Sequence, residues 1–269
     1  MTDLDTRLHR IREAVELWRR RVSEDATQLV KLVDTLITCS LREQEAGNVS
    51  NALDATREAV GHLHTLVERE PQGYRARLAK CLHLLSVRYA AVGSKDEALD
   101  AAQGAVALWR ELTQSDPKEH EAECLRATLH LASCYAATRS PREALSVRHE
   151  ALTMLEKLVG DDPSKYSVEF ARQLSHTAQL CALQSRQAQS AELYRKAVTL
   201  WRRHAAASIV EHGPPLVRTL RSLAFELTTS GTSSERMQLR KEAWRIELKV
   251  AFVRLFRSVG HVTRTLGSK

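Results

Sequence analysis

The chain has 269 residues, of which 43% are apolar and 27% charged, with few glycines, prolines or aromatic residues. This composition favours helix and argues against a β-sandwich or β-barrel. No apolar run approaches the roughly 18 residues that a membrane helix needs, and the charged N-terminus is not expected to be a secretory signal. The five cysteines include no CxxC pair, so we expect buried, reduced thiols in a cytoplasmic protein.

The net charge of +7 is concentrated near the C-terminus. Residues 235–269 contain nine Lys or Arg residues and only three acidic residues, whereas residues 1–234 are close to neutral. The basic character therefore belongs to a C-terminal segment and not to the whole chain.

The predicted elements begin with a lone helix at about residues 4–21, which is followed by five helix pairs. The pair at about 74–91 and 95–112 illustrates the pattern. The apolar residues of its first helix are spaced by four, three and four, as on one helical face, at Leu78, Leu82, Leu85 and Tyr89. We expect Gly93 to end this helix in a left-handed conformation and Ser94 or Asp96 to cap the next.

The pairs recur with a period of 46 residues. Three columns of residues keep this interval: Ala59, Ala105, Ala151, Ala197 and Ala243; Pro71, Pro117 and Pro163; and Gly47, Gly93, Arg139, Ser185 and Gly231. Because a helix pair cannot bury its apolar face alone, we expect the repeated pairs to stack on one another. The sequence therefore predicts an all-α, right-handed superhelical solenoid of helix-turn-helix repeats over residues 1–250. Residues 251–269 are predicted to be a basic amphipathic extension or cap.

The stretch LAKCLHLLSVRYAAVGSKDEALDAAQGAVALWRELTQSDP, residues 78–117, resembles a tetratricopeptide repeat. Matching core and turn positions are held by Leu82, Leu85, Ser86, Tyr89, Gly93, Ala98, Ala102 and Ala105. The long period is similar to that of kinesin-light-chain-like, fungal and bacterial arrays of this family. The resemblance covers about residues 11–250 and is weaker at both ends, where residues 204–214 lack the usual link and Pro214-Pro215 is out of step.

This resemblance implies a non-enzymatic scaffold that binds a partner protein or peptide in a concave groove lined by the first helix of each pair. One groove column carries four cations, which suit an extended acidic peptide because Arg grips carboxylates with two hydrogen bonds. The predicted partner-binding residues are Lys80, His83, Arg126, Leu129, Arg172, Ser175, Gln179, Arg218 and Arg221. The alternative is that the cations are ordinary solvated residues paired with acids such as Glu123 and Glu169.

No metal, cofactor, small-molecule substrate or catalytic site is expected. His130 and His176 share a column beside that of His83, but neighbouring helices lie about 8 to 10 Å apart, too far for ligands that must reach one metal at about 2 Å. The sequence contains no GxSxG, HExxH or GxxxxGK[ST] motif.

The C-terminal segment has an apolar stripe with helical spacing, comprising Trp244, Leu248, Ala251, Leu255, Val259, Val262 and Leu266 and widened by Phe252 and Phe256. We expect a closing helix that buries these aromatic residues against the last open core face. An alternative is a basic amphipathic helix that binds an acidic membrane, nucleic acid or a partner helix. Two further alternatives are self-association and a regulatory arm of a larger signalling protein with an NTPase or caspase-like domain, which an array that starts mid-repeat would fit.

Overall fold

The computed structural model describes the backbone of residues 3–228 and 231–266, and the side chains of residues 5–228 and 231–255. These residues form eleven α-helices, one 3₁₀ turn at Ala26–Gln28 and no strand. The helices are α1 (Asp3–Glu24), α2 (Leu29–Glu45), α3 (Val49–Arg69), α4 (Pro71–Ala91), α5 (Lys95–Ser115), α6 (Pro117–Ala137), α7 (Pro141–Asp161), α8 (Pro163–Leu183), α9 (Gln187–Ala207), α10 (Ile209–Glu226) and α11 (Ser233–Leu266).

The helices form two compact units, residues 1–147 and 148–269. In unit 1, each helix from α1 to α5 packs on the next helix in sequence. In unit 2, α8 packs on α9, α9 on α10 and α10 on α11. Packing between consecutive helices is the organisation of a helical repeat array, so the predicted all-α solenoid is confirmed. The boundary at residue 250 stays a prediction, and α11 runs through it without a break.

Three links between repeats start the next helix with a proline, and two of these also have an aspartate cap. Pro71, Pro117 and Pro163 are the first residues of α4, α6 and α8, where a missing N–H group costs nothing. Before them, the carboxylate of Asp116 accepts the Glu119 N–H at 3.2 Å, and that of Asp162 accepts the Lys165 N–H at 3.1 Å. Proline and aspartate together therefore stop one helix and start the next.

The last link has different residues from the others. Ser208 lies 46 residues after Asp162 and has a similar backbone conformation, with φ −143° and ψ 95°, so the link keeps the period. Pro214 and Pro215 lie inside α10 rather than in a link. The weak resemblance over residues 204–214 thus reflects a change of side chains within an unchanged repeat.

The turns inside the first four pairs share a left-handed residue, whereas Gly231 in the fifth does not have a positive φ. Gly47 and Gly93 have φ of 78° and 86°, and the same column continues with Arg139 and Ser185 at 59° and 58°. The prediction for Gly93 is confirmed. The capping prediction is wrong, because the Ser94 side chain makes no capping hydrogen bond and Asp96 instead lies in the first turn of α5, where its charge faces the positive helix end.

The repeat columns form the core. The alanine column is fully buried, with Ala59, Ala105, Ala151 and Ala197 at 0% and Ala243 at 1% exposure. A second column holds large side chains, Leu63, Trp109, Leu155 and Trp201, which are exposed by 3% or less. Small residues on one column let neighbouring helices approach, while large residues on the other fill the space between them.

At the start of unit 1, an ion pair between half-exposed Arg12 and buried Glu43 joins α1 to α2. The Glu43 side chain is 3% exposed and accepts hydrogen bonds from Arg12 at 2.6 and 2.9 Å and from Asn48 at 2.9 Å. Burial by itself would raise the pKa of Glu43, but these hydrogen bonds outweigh it and hold the pKa below its usual value.

The closing helix α11 turns a different face inward from the one predicted. Leu239, Ala243 and Val250 are buried, whereas Trp244 and Phe252 are 61% and 60% exposed. The expectation that these aromatic residues are buried is therefore wrong. Trp244 is exposed because it lies about 100° around the helix from Ala243, which belongs to the buried alanine column. Phe256, Val259, Val262 and Leu266 lie outside the residues whose side chains are described.

None of the described helices combines the length and the hydropathy that crossing a lipid bilayer requires.

Candidate functional site

A groove of about 930 Å³ lies between α8 and α10 in unit 2. Residues spaced by three and four along a helix share one face, and this spacing brings the predicted groove positions of both helices together. Those positions are Arg172, Ser175, Gln179 and Ala182 on α8, and Arg218, Arg221, Phe225 and Thr228 on α10 and the turn after it. Five of the nine predicted partner-binding residues thus line one groove.

The floor of the groove is a fixed polar network. Trp201 of α9 is 3% exposed, and its indole N–H donates to Ser175 Oγ at 3.4 Å. Ser175 donates to the Ala171 carbonyl at 2.9 Å and lies 3.3 Å from the hydroxyl of Thr219 on α10. Thr219 donates its own hydrogen to the Pro215 carbonyl at 2.8 Å, so the hydrogen bond that joins two helices at the floor is the one from Trp201 of α9 to Ser175 of α8.

The rim of the groove exposes two large apolar side chains. Leu183 is 77% exposed and Phe225 is 70% exposed, and both line the groove. Exposed apolar side chains in a concave site are available to pack against an apolar group of a ligand.

Three arginines line the walls of the groove, and two of them are ion-paired. Arg172 pairs with Glu169 one turn earlier on α8, and Arg221 pairs with Glu247 at 2.8 Å. Arg218 is exposed and makes no ion pair with any residue that the structure describes. The pKa of His176 is lowered first by burial and then by nearby cations that include Arg172 and Arg218. Glu211 and Glu226 also line the groove, so its ends are less basic than its middle.

The remaining predicted residues lie in unit 1. Lys80 and His83 are on α4, and Arg126 and Leu129 are on α6. Arg126 pairs with Glu123 at 3.2 Å, as the alternative interpretation expected, whereas exposed Lys80 has no ion pair among the described residues. Burial and the charge of Arg126 both lower the pKa of His83, which places the two residues within electrostatic reach of each other.

Unit 1 also contains a polar cluster that the sequence analysis did not anticipate. His83 and His130 meet edge to face with ring centroids 4.7 Å apart, and Ser86 Oγ lies 2.8 Å from His130 Nε2. Cys134, four residues after His130, has its sulfur 3.6 Å from the same nitrogen. The spacing of His130 and Cys134 on one helical face was the available signal.

The chemistry of this cluster is that of a satisfied core network. Ser86 donates its single hydrogen to the Ala98 carbonyl at 2.6 Å, so His130 must be the donor in the bond between them. Burial and then His83 lower the pKa of His130 to about 4, which keeps the ring neutral near pH 7. Ser86 is 0% exposed and is therefore not placed to attack a substrate. Within the described residues, no group of three or more His, Cys, Asp or Glu side chains is arranged to hold a metal ion.

Comparisons with known proteins agree with this architecture. Residues 78–117 match the family model of the tetratricopeptide repeat. Among solved structures, BtubC (BKLC) from P. vanneervenii has a TM-score of 0.65 at 18% identity, with 93% of each chain covered. A putative kinesin light chain from Podosopora anserina with nearly identical TPR-like repeats has a TM-score of 0.59 at 18% identity, covering 81% of this chain and 95% of that one.

A third similar structure is YrrB, described as a TPR protein with an unusual peptide-binding site. It has a TM-score of 0.51 at 10% identity and covers 91% of this chain and 99% of its own. Among curated proteins, none matches the sequence. The predicted resemblance to tetratricopeptide-repeat arrays, including kinesin-light-chain-like ones, is therefore confirmed. At these identities the structural matches define the fold alone.

Proposed function

We propose that the protein is a non-enzymatic interaction scaffold that binds an extended acidic segment of a partner protein in the unit 2 groove. The observation that carries this proposal is a groove of about 930 Å³ that combines three arginines with exposed apolar side chains. Such a combination suits a peptide with alternating acidic and apolar residues. The similar fold of YrrB, a TPR protein with a peptide-binding site, supports a peptide as the ligand.

Arg218 and Arg172 are the proposed carboxylate contacts. Arg218 has no ion pair among the described residues, so it can bind a carboxylate without first giving up a partner. Arg172 pairs only across one turn with Glu169, and their side chains are 52% and 32% exposed. A surface pair of this kind contributes little, so an incoming carboxylate can replace it.

Leu183, Phe225 and Gln179 provide the rest of the recognition. Leu183 and Phe225 are the proposed apolar contacts, while the exposed Gln179 amide can hydrogen-bond to a peptide backbone. All three residues lie on helices, so their backbone loses little conformational entropy when a peptide binds.

We propose the same role for the equivalent residues of unit 1. Lys80 and Arg126 are exposed cations on α4 and α6, with His83 and Leu129 beside them, and would contact further acidic residues. All five cysteines lie within the described residues, are buried and form no disulfide bond, which supports a reducing compartment such as the cytoplasm.

The proposal can be tested without knowing the partner, by selecting peptides from a random display library on the whole protein. The variant that combines Arg172→Glu with Arg218→Glu serves as the counter-target, and Lys196→Glu on the exposed surface of α9 serves as the matched control. We expect enriched peptides to contain acidic and apolar residues, to bind the control variant normally and to bind the double variant at least about 100-fold more weakly. Enrichment of peptides that lack acids, or that bind the double variant equally well, would contradict the proposal.

A further inference from the structure

Helix α11 has two apolar faces, one of which is buried and the other largely exposed. Leu239, Ala243 and Val250 face inward and are buried. On the opposite side, exposed apolar residues follow one another at helical spacing: Met237 at 56% exposure, Trp244 at 61%, Leu248 at 50%, Phe252 at 60% and Leu255 at 63%. We call these five residues the outer stripe. It spans about 27 Å along the helix, which is much longer than a scattered surface residue would explain.

The acidic residues of α11 all turn toward the body of unit 2. Glu235 pairs with Arg195 at 3.2 Å, Glu242 with Arg202 at 2.6 Å, and Glu247 with Arg221 at 2.8 Å. These pairs neutralise the inward side of the helix and leave its outward side without negative charge.

The basic residues of α11 surround the outer stripe. Arg240, Lys241, Arg245 and Lys249 are exposed, and none of them makes an ion pair with a residue that the structure describes. At 100° per residue, Arg245 and Lys249 lie on one side of the outer stripe and Arg240 on the other, while Lys241 lies within it between Leu248 and Phe252. The outward face of α11 thus combines the outer stripe with cations along both of its edges and one cation within it.

An apolar recess adjoins the outer stripe. It encloses about 590 Å³ and is formed by Ala205, Ala206 and Ile209 together with Leu248, Phe252 and neighbouring residues of α11, with Lys249 at its edge. The apolar surface is therefore wider than the stripe itself.

We propose that this outward face binds the surface of an anionic lipid membrane, with the outer stripe inserted among the acyl chains and the flanking cations on lipid phosphates and carboxylates. An aromatic and aliphatic stripe edged by Lys and Arg is the arrangement that lies in a membrane interface. Charge complementarity favours an anionic surface over a second copy of the chain, since two such faces repel each other. Nucleic acid would satisfy the cations but leave the outer stripe in water.

The test is co-sedimentation of the full-length protein with phosphatidylcholine vesicles that contain either no phosphatidylserine or about one third of it. Two variants separate the two parts of the face: Lys241→Glu with Lys249→Glu, and Leu248→Ser with Phe252→Ser. All four side chains are exposed, so we expect both variants to fold as the parent does. Leu17→Ser with Leu41→Ser removes two equally exposed leucines elsewhere and is the matched control.

We expect binding to the anionic vesicles alone, a loss of at least about tenfold in each α11 variant, and no change in the control. Emission from Trp244 should shift to the blue and be quenched by brominated lipid, and Trp244→Phe should abolish that signal. The proposal is overturned if the anionic vesicles do not bind at about 1 mM lipid, or if the Leu248 and Phe252 variant binds as well as the parent. A third outcome would also overturn it: a DNA oligonucleotide binds more tightly than the vesicles, and the Lys241 and Lys249 variant weakens binding to DNA and to vesicles while the Leu248 and Phe252 variant weakens neither.

Discussion

In unit 1, His83 and His130 meet at 4.7 Å between α4 and α6, whereas the positions 92 residues later in unit 2 are Ser175 and Ser222, which line a groove of about 930 Å³. The backbone plan and the cation column are the same in both units. At two repeated positions, two imidazole rings in contact in unit 1 are therefore replaced in unit 2 by two small serines that line a groove.

The largest expected effect comes from giving unit 2 the side chains of unit 1. Ser175→His combined with Ser222→His should fill the groove between α8 and α10, and should lower the affinity for the selected acidic peptides at least about 100-fold. Isothermal titration calorimetry measures the affinity, and circular dichroism checks that the helices persist. Unchanged affinity in a folded variant would mean that the open space between the serines is not the binding site.

The two units also differ in how their outer helices are attached. Arg12→Ala in unit 1 leaves Glu43 buried without its cation and should cost about 2 kcal/mol of unfolding free energy. Arg202→Ala in unit 2 breaks an ion pair whose side chains are 50% and 32% exposed and should cost under about 1 kcal/mol. Urea denaturation of both variants measures the difference, and equal costs would remove this distinction.

The histidine pair predicts a pH dependence that belongs to unit 1. Burial and then His83 lower the pKa of His130 from 6.5 to about 4, so between these pH values the unfolded chain binds a proton that the folded chain does not. Stability should therefore fall as the pH drops from 6.5 to 4, by about 1 kcal/mol for this partly exposed ring.

Thermal unfolding of His130→Gln should show a smaller loss over that pH range than the parent. Exposed His64→Gln is the control and should behave like the parent. A parent-like pH profile in His130→Gln would show that the ring does not carry the effect.

The smallest effect tests what the units share. Arg139 in unit 1 and Ser185 in unit 2 hold the same left-handed turn position, with φ of 59° and 58°. Glycine adopts this conformation without steric cost, so Arg139→Gly and Ser185→Gly should each raise the unfolding free energy by about 0.5 to 1 kcal/mol. A gain in one unit and a loss in the other would show that the turns are not equivalent.

The sequence was sufficient to predict the repeat frame. A 46-residue period in the alanine, proline and glycine columns placed the helices and the left-handed turns, because those positions are set by backbone geometry and close packing. The period also placed Arg172, Ser175, Gln179, Arg218 and Arg221 around one groove, since residues in register on stacked first helices face the same way.

The sequence was not sufficient to predict how the frame ends. The apolar stripe of α11 could face either the core or the solvent, and the sequence pattern alone predicted that Trp244 and Phe252 face the core. The structure orients the helix by the buried Ala243 column and by Glu242, which pairs with Arg202. Pairings of this kind depend on the neighbouring helix, so periodicity within one helix cannot reveal them.

The most direct test of the central claim is site-specific photo-crosslinking to a selected acidic peptide. The photoreactive residue p-benzoylphenylalanine would replace Gln179 within the groove or Lys196 on α9. Our account predicts that the peptide is crosslinked from position 179 and not from position 196, and that adding Arg218→Glu abolishes the crosslink. Crosslinking from position 196 alone would contradict a peptide-binding groove between α8 and α10.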